Sequence, residues 1–285
     1  MSKDVPLSGR VCLVTGGASG IGWALVKALA REGASVHACD VSAENLARVE
    51  EEARREGLAV HLARCDVADR QATERWVADV VAREGRVDVL VNNAAFIRWE
   101  SVEAMPVEDA ERTMRVGYDG MVYATRAVLP HMRAAGRGHI VNLGSLVGRV
   151  FVKGPSAAYA AVKAAIDAYT QVLQIELEGS PLRVTLVRLS AVAGTQFFGR
   201  HVDSARMPRI ADLVPPLAPG TVAKALVRAI RRGERNVDLP RFLPAVYLLF
   251  ALAPGLTRWF ATVGGAGRRN YSSLPSGGAR TGDPS

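Results

Sequence analysis

The sequence predicts an α/β protein built on a doubly wound parallel β-sheet. Three observations carry that expectation. Short apolar runs alternate with helical stretches along most of the chain. The apolar runs are continuous, as strands covered on both faces require. A glycine-rich turn joins the first run to the first helical stretch.

The elements follow in order. VCLVTGG, 11–17, is an apolar run closed by glycine and reads as a buried strand. IGWALVKALAREG, 21–33, has apolar residues at helical spacing and a glycine stop. SVHACD follows as strand, SAENLARVEEEARREG as a capped, charged helix, AVHLARCD as strand and RQATERWVADVVAREG as helix. VDVLVNNAA, 87–95, is a fourth strand. Beyond it, MRVGYDGMVYATRAVLPHMRAAG reads as a long helix, GHIVNLGS as strand, AAYAAVKAAIDAYTQVLQIELEG as helix and LRVTLVRLS as strand. A helix at 221–232 and a last strand, RNVDLP, close the series. No repeat or linker interrupts it, so a single domain with a small C-terminal substrate lobe is expected over 1–262. Its ligand site belongs at the carboxyl ends of the strands. The segment at about 195–220 reads as a lid, 241–262 as an apolar extension, and the Gly/Ser/Pro/Arg-rich stretch 263–285 as a disordered tail.

Composition narrows the function classes. The 285 residues carry a net charge of +8, with 31 Arg against 5 Lys. No basic run with interleaved aromatics accompanies that charge, so solvated arginine faces are expected rather than nucleic-acid binding. No zinc-ligand spacing occurs, and no metal is expected. Cys12, Cys39 and Cys65 lie in or beside strand-like runs without CxxC spacing, which fits free thiols in a reducing compartment. The N-terminus lacks the apolar core of a signal peptide, and a cytoplasmic location is expected. The longest apolar run, FLPAVYLLFALAP, is too short to span a bilayer.

TGGASGIG, 15–22, occupies the first strand–helix turn. Gly16, Gly20 and Gly22 permit a tight turn, close backbone approach to a pyrophosphate and close helix–strand packing, with Ser19 and Ile21 completing the loop at the helix N-terminus. Asp40 stands at the end of the second strand, where a carboxylate accepts hydrogen bonds from ribose hydroxyls and repels a 2′-phosphate. No Arg or Lys lies within the loop or directly after Asp40, so NAD(H) is favoured over NADP(H).

With TGGASGIG, NNAA (92–95), VNLGS (141–145) and YAAVK (159–163) in this order, the chain resembles the short-chain dehydrogenase/reductase family, of Rossmann fold and Ser-Tyr-Lys type. The resemblance implies hydride transfer between nicotinamide and a carbonyl or carbinol carbon, with Tyr159 exchanging a proton with the oxygen. It implies that Lys163 supports Tyr159 and reaches the nicotinamide ribose, and that Ser145 bonds the substrate oxygen. Positions 159 and 163 share a helix face one turn apart. Free tyrosine has a pKa of about 10, and a nearby ammonium, together with the positive nicotinamide, is expected to lower it. Asp66 and Val67 resemble the adenine pair, and Asn93, Ala94 and Ala95 the turn passing the adenosine ribose. Asp66 is also a candidate helix N-cap, NNAA a candidate strand-end turn, and Asn93 a candidate tie between strands.

Two places depart from the family pattern. Gly117, in VGYDG, stands where most members carry an asparagine that kinks the long helix and holds a water of a proton relay. Either glycine preserves the kink and leaves a slot for water, or the relay is impaired. LSAVAGT replaces PGxVxT, so Thr195 falls one position late; it is expected still to reach the nicotinamide carboxamide by a different local path, with a helix cap as the alternative. Beyond it, Phe197, Phe198, Met207, Ile210 and Leu213 read as a lid over an apolar ketone or secondary alcohol, or as ordinary packing. The extension RFLPAVYLLFALAPGLTRWF reads as a hairpin covering the site, a subunit contact or a membrane-surface anchor. The resemblance implies a homotetramer or homodimer. The reading is an oxidoreductase; a non-catalytic NAD-binding sensor or scaffold of the same fold is the alternative.

Overall fold

The computed structural model describes residues 4–194 and 215–262. Seven strands, β1 (Val11–Thr15), β2 (Ser35–Asp40), β3 (Val60–Arg64), β4 (Val89–Asn92), β5 (Gly138–Leu143), β6 (Leu182–Leu189) and β7 (Asn236–Leu239), form one parallel sheet in the order 3-2-1-4-5-6-7. The order reverses between β1 and β4, which creates a crevice at their carboxyl ends.

The continuous apolar character of the strands follows from cover on both faces. All five residues of β1 are buried. Cys12 and Val14 join the core on one face, with Leu25, Val26 and Leu29 of α1 (Gly20–Arg31) and Leu226 of α7 (Pro219–Arg232). Val11 and Leu13 join the other, with Trp76 of α3 (Arg70–Glu84) and Val128 and Met132 of α5 (Gly120–Ala134). Each such Val or Leu contributes about 1.5–3 kcal/mol by leaving water.

Helix starts follow their capping residues. Ser42 Oγ accepts from Asn45 N at 3.1 Å to open α2 (Ala43–Glu56), and Asp69 Oδ1 accepts from Ala72 N at 3.0 Å to open α3. Ser156 Oγ accepts from Tyr159 N at 3.3 Å and opens α6 (Ala157–Glu176), so Tyr159 falls in its first turn.

The long helix expected from Met114 onward is longer and interrupted. It begins as α4 (Val107–Met114), widens into a π-type turn over Arg115–Asp119 and continues as α5. Gly117 lies buried in that turn. The extension folds into α8 (Leu243–Leu252) and α9 (Pro254–Thr262), packed on each other. No described helix is long and apolar enough to cross a membrane. Thr195, Phe197, Phe198, Met207, Ile210 and Leu213 lie outside the described residues, as does the tail.

Candidate active site

A cavity of about 640 Å³ opens at the carboxyl ends of the strands. Gly16, Ser19, Gly20, Ile21, Asp40, Asp66, Val67, Asn93, Ala94, Ala95, Ser145, Tyr159 and Lys163 all line it. Residues far apart in sequence thus meet at one place.

The glycine loop is shaped by close approach. Gly16 takes the left-handed φ of 63°. A Cβ on Gly22 would lie 2.1 Å from Gly16 O and 2.7 Å from Asn93 Nδ2, so this position admits only glycine. Gly22 is not among the lining residues; it sits beneath the loop and lets α1 close on it. Neither a capping side chain nor an acidic residue neutralises the first turn of α1. That leaves its N-terminal dipole for an anion.

Asn93 acts as the tie between strands. Its Nδ2 donates to Thr15 O at 3.0 Å and Gly16 O at 2.9 Å. The Thr15 hydroxyl accepts from the amides of Asn93 at 3.0 Å and Ala94 at 3.1 Å. Thr15 is a site residue that sequence reading missed; its signal was a hydroxyl ending an otherwise apolar strand. Asp40 accepts from Ala18 N at 3.2 Å through one oxygen and from Ser42 N at 3.0 Å through the other. Arg48, eight residues on, reaches back to donate to Ala18 O at 2.9 Å, and lies 3.7 Å from Glu52. A cation therefore stands near the loop that local sequence did not reveal. Asp66 is exposed at the rim and accepts from Ala68 N at 3.0 Å. It does not cap α3; Asp69 does.

Ser145 follows β5 directly, where Gly144 N donates to Val187 O at 2.7 Å and prolongs the sheet. The Ser145 hydroxyl contacts Leu189 O at 3.3 Å and hydrogen-bonds the Tyr159 phenol. Lys163 Nζ donates to Leu143 O at 2.8 Å and lies 5.8 Å from the centre of the Tyr159 ring. Both side chains are buried. Burial pushes the Tyr159 pKa up to about 12 against the lowering bond from Ser145, and pushes Lys163 down to about 8. Within the protein alone desolvation dominates both shifts, because burial penalises both charged forms.

Behind Lys163 runs a buried amide–hydroxyl ladder. Asn92 Nδ2 donates to Asn142 Oδ1 at 2.7 Å and Thr125 Oγ1 at 3.2 Å, and Asn142 Nδ2 donates to Thr170 Oγ1 at 3.0 Å. The ladder joins β4, β5, α5 and α6. One turn beyond Lys163, Asp167 is ion-paired with Arg188 of β6 and, at 3.0 Å, with Arg149. Tyr247 of α8 lies under both guanidinium groups, at 5.6 and 5.8 Å, and donates to Asp238 at 2.8 Å. The extension is thereby bolted to the Tyr159 helix.

The described apolar wall comes from Trp99, tilted 6.2 Å from the Tyr159 ring, from Val147, Val150 and Val152, and from Phe242, Val246, Leu249 and Phe260 of the extension. Trp99 was not foreseen in this role, whereas the extension takes the first of its three expected places, over the site. Ser190, in the departing LSAVAGT segment, lines the same cavity with a buried hydroxyl lacking a partner among the described residues. Away from the cavity, His37, His61 and Glu84 bring ligand-type atoms within 4.8 Å of one another. Ligand spacing along the sequence could not reveal this cluster, because His37 and His61 are register partners on neighbouring strands. His37 bonds Glu84 at 2.9 Å, and His61 meets Arg83 at 3.0 Å.

The short chain dehydrogenase family profile matches residues 10–205. The 3-oxoacyl-(acyl-carrier-protein) reductase FabG of Thermotoga maritima is 40% identical over 183 residues, covering 64% of this chain and 73% of that protein. The fatty acyl-CoA reductase of Acinetobacter baylyi is 29% identical over 286 residues, covering 97% of this chain and 89% of that protein. Among solved structures, the closed form of a serine dehydrogenase complexed with NADP+ aligns with a TM-score of 0.71 at 29% identity, over 80% of this chain and 94% of that one. Fold and site together define a nicotinamide-dependent oxidoreductase. The chain belongs to the short chain dehydrogenase family.

Proposed function

We propose that the protein reduces an apolar ketone, or oxidises the corresponding secondary alcohol, with Tyr159 as the proton-exchanging group. The observation that carries this reading is the meeting of Ser145, Tyr159 and Lys163 on one wall of the cavity, with Ser145 bonded to the phenol. A bound nicotinamide dinucleotide supplies or accepts the hydride. The residues present fit that group: a loop closed to any Cβ at Gly22, an unneutralised helix N-terminus and Asp40 at the end of β2.

Gly16, Ser19, Gly20 and Ile21 hold the pyrophosphate, Asp40 the adenosine ribose, Asp66 and Val67 the adenine, and Asn93, Ala94 and Ala95 the passage between them. Asp40 favours NAD(H), because a carboxylate repels a 2′-phosphate. Ser145 orients the substrate oxygen beside the phenol. The neutral phenol that burial favours is the form a ketone reduction consumes, while Lys163 stabilises the phenolate left behind. The apolar wall around Trp99 selects hydrophobic substrates, in keeping with acyl-processing relatives. The protein works as a homodimer or homotetramer, as the family resemblance implies.

Tyr159→Phe tests the assignment. NADH binding, followed by fluorescence, stays intact while turnover falls by about a hundredfold or more. Near-normal turnover overturns it.

A further inference from the structure

The extension gathers apolar surface that the cavity does not use. Seven of the thirteen large hydrophobic side chains exposed among the described residues fall between Phe242 and Phe260. Leu252 is 77% exposed, Leu248 61% and Trp259 58%. Phe151, from the loop after Ser145, adds to the patch by meeting Phe250 edge-on at 5.9 Å. Exposed hydrophobic residues scattered singly need no partner, but a contiguous patch of this kind marks a contact surface. The patch also surrounds the mouth of the site, since Phe242, Leu249 and Phe260 both line the cavity and reach the surface.

Charge identifies the partner. On the hairpin, residues 239–262 carry no Asp or Glu, while Arg241 and Arg258 are both exposed. Two copies pressed together through this face would oppose cation to cation. An anionic lipid surface complements it in both respects, with acyl chains for Leu and Phe, headgroups for Arg and the boundary for Trp259. With 10 and 9 residues, α8 and α9 are too short to cross and lie in the interface instead. The bolt of Tyr247 to Arg149 and Arg188 fixes the pair against the catalytic helix rather than letting it trail.

We propose that the α8–α9 hairpin docks on an anionic lipid surface, setting the mouth of the cavity against the acyl chains so that the substrate arrives from the lipid phase. Docking itself does not depend on the proposed chemistry; only substrate delivery rests on that reading.

The full chain is sedimented with phosphatidylcholine vesicles containing or lacking phosphatidylglycerol. Binding is expected to phosphatidylglycerol vesicles and to weaken as salt is raised. Trp23, Trp76 and Trp99 are buried, so brominated lipid should quench Trp259 fluorescence. Leu252→Glu with Trp259→Glu, neither of which lines the cavity, should lower vesicle binding by about tenfold or more and leave turnover of a water-soluble alcohol unchanged. Failure of the wild type to bind either vesicle, or binding undiminished in the double variant, overturns docking. A doubled mass in solution that the variant abolishes, with no vesicle binding, assigns the face to a second copy instead. Loss of turnover in Tyr159→Phe is read separately, so the two proposals fail independently.

Discussion

Asp40 holds its place in the cavity wall because the loop it serves also restrains it. Both carboxylate oxygens accept backbone amides, from Ala18 and Ser42, leaving the remaining lone pairs for a ribose. Its position was legible from a single local feature, an acidic residue ending the second strand. The approach of Arg48 was not, because the contact crosses 30 residues between α2 and the glycine loop. The proposed preference is measurable: kcat/KM should be higher with NADH than with NADPH. Asp40→Ala combined with Val41→Arg should shift that ratio toward NADPH by about tenfold or more. A wild type that prefers NADPH would reverse the assignment and point to Arg48 as the phosphate partner. The same contrast holds for Tyr159 and Lys163, whose spacing was plain in the sequence and whose protonation was not. Burial depends on what packs around the helix, and four-residue spacing is silent about that.

At the scale of elements, the contact between the π-type turn and α6 explains Gly117. A Cβ at Gly117 would stand 2.7 Å from Val162 Cγ2, on the catalytic helix between Tyr159 and Lys163. The helix widens into a π-type turn at this position, and the valine methyl stands against the place where a side chain on residue 117 would begin. Glycine here is the complement of the distant valine at 162, a pairing that the sequence pattern did not disclose. Gly117→Asn alone should therefore lower stability by about 1–3 kcal/mol through overpacking and should not raise turnover. Gly117→Asn with Val162→Ala should recover most of that loss in a denaturant titration. If the single variant is as stable as the wild type and turns over faster, the impaired-relay reading of Gly117 gains the ground. The extension makes a parallel case. Its apolar run was evident, whereas its role as a wall of the cavity depends on the Tyr247 contacts with Arg149 and Arg188.

Across the whole molecule, the sheet commits several titratable groups to burial. His139 on β5 bonds Thr185 on β6 at 2.7 Å, and burial, with help from the Arg183 charge, pulls its pKa down to about 4. The unfolded chain binds that proton at about 6.5. Between these values the unfolded state holds more protons, so stability is full above about pH 6.5 and falls as the pH drops toward 4. The loss amounts to about 3 kcal/mol for this group. Urea midpoints measured across this range should fall steadily, and His139→Gln should flatten the slope; an unchanged slope would show that other groups set the acid limb.

The order of strands and helices, the glycine loop and the position of Asp40 were legible in the sequence itself, written in features between near neighbours: apolar period, turn glycines and caps. Ser145, Tyr159 and Lys163 were singled out by the resemblance of their motifs to a known family. The tertiary structure alone decided that Val162 fills the space beside Gly117, that Thr15 and Asn93 lock β1 to β4, and that α8 and α9 wall the cavity. It also decided the direction in which Tyr159 and Lys163 titrate. Those outcomes depend on which distant surfaces meet and exclude water, and adjacency along the chain carries no record of them.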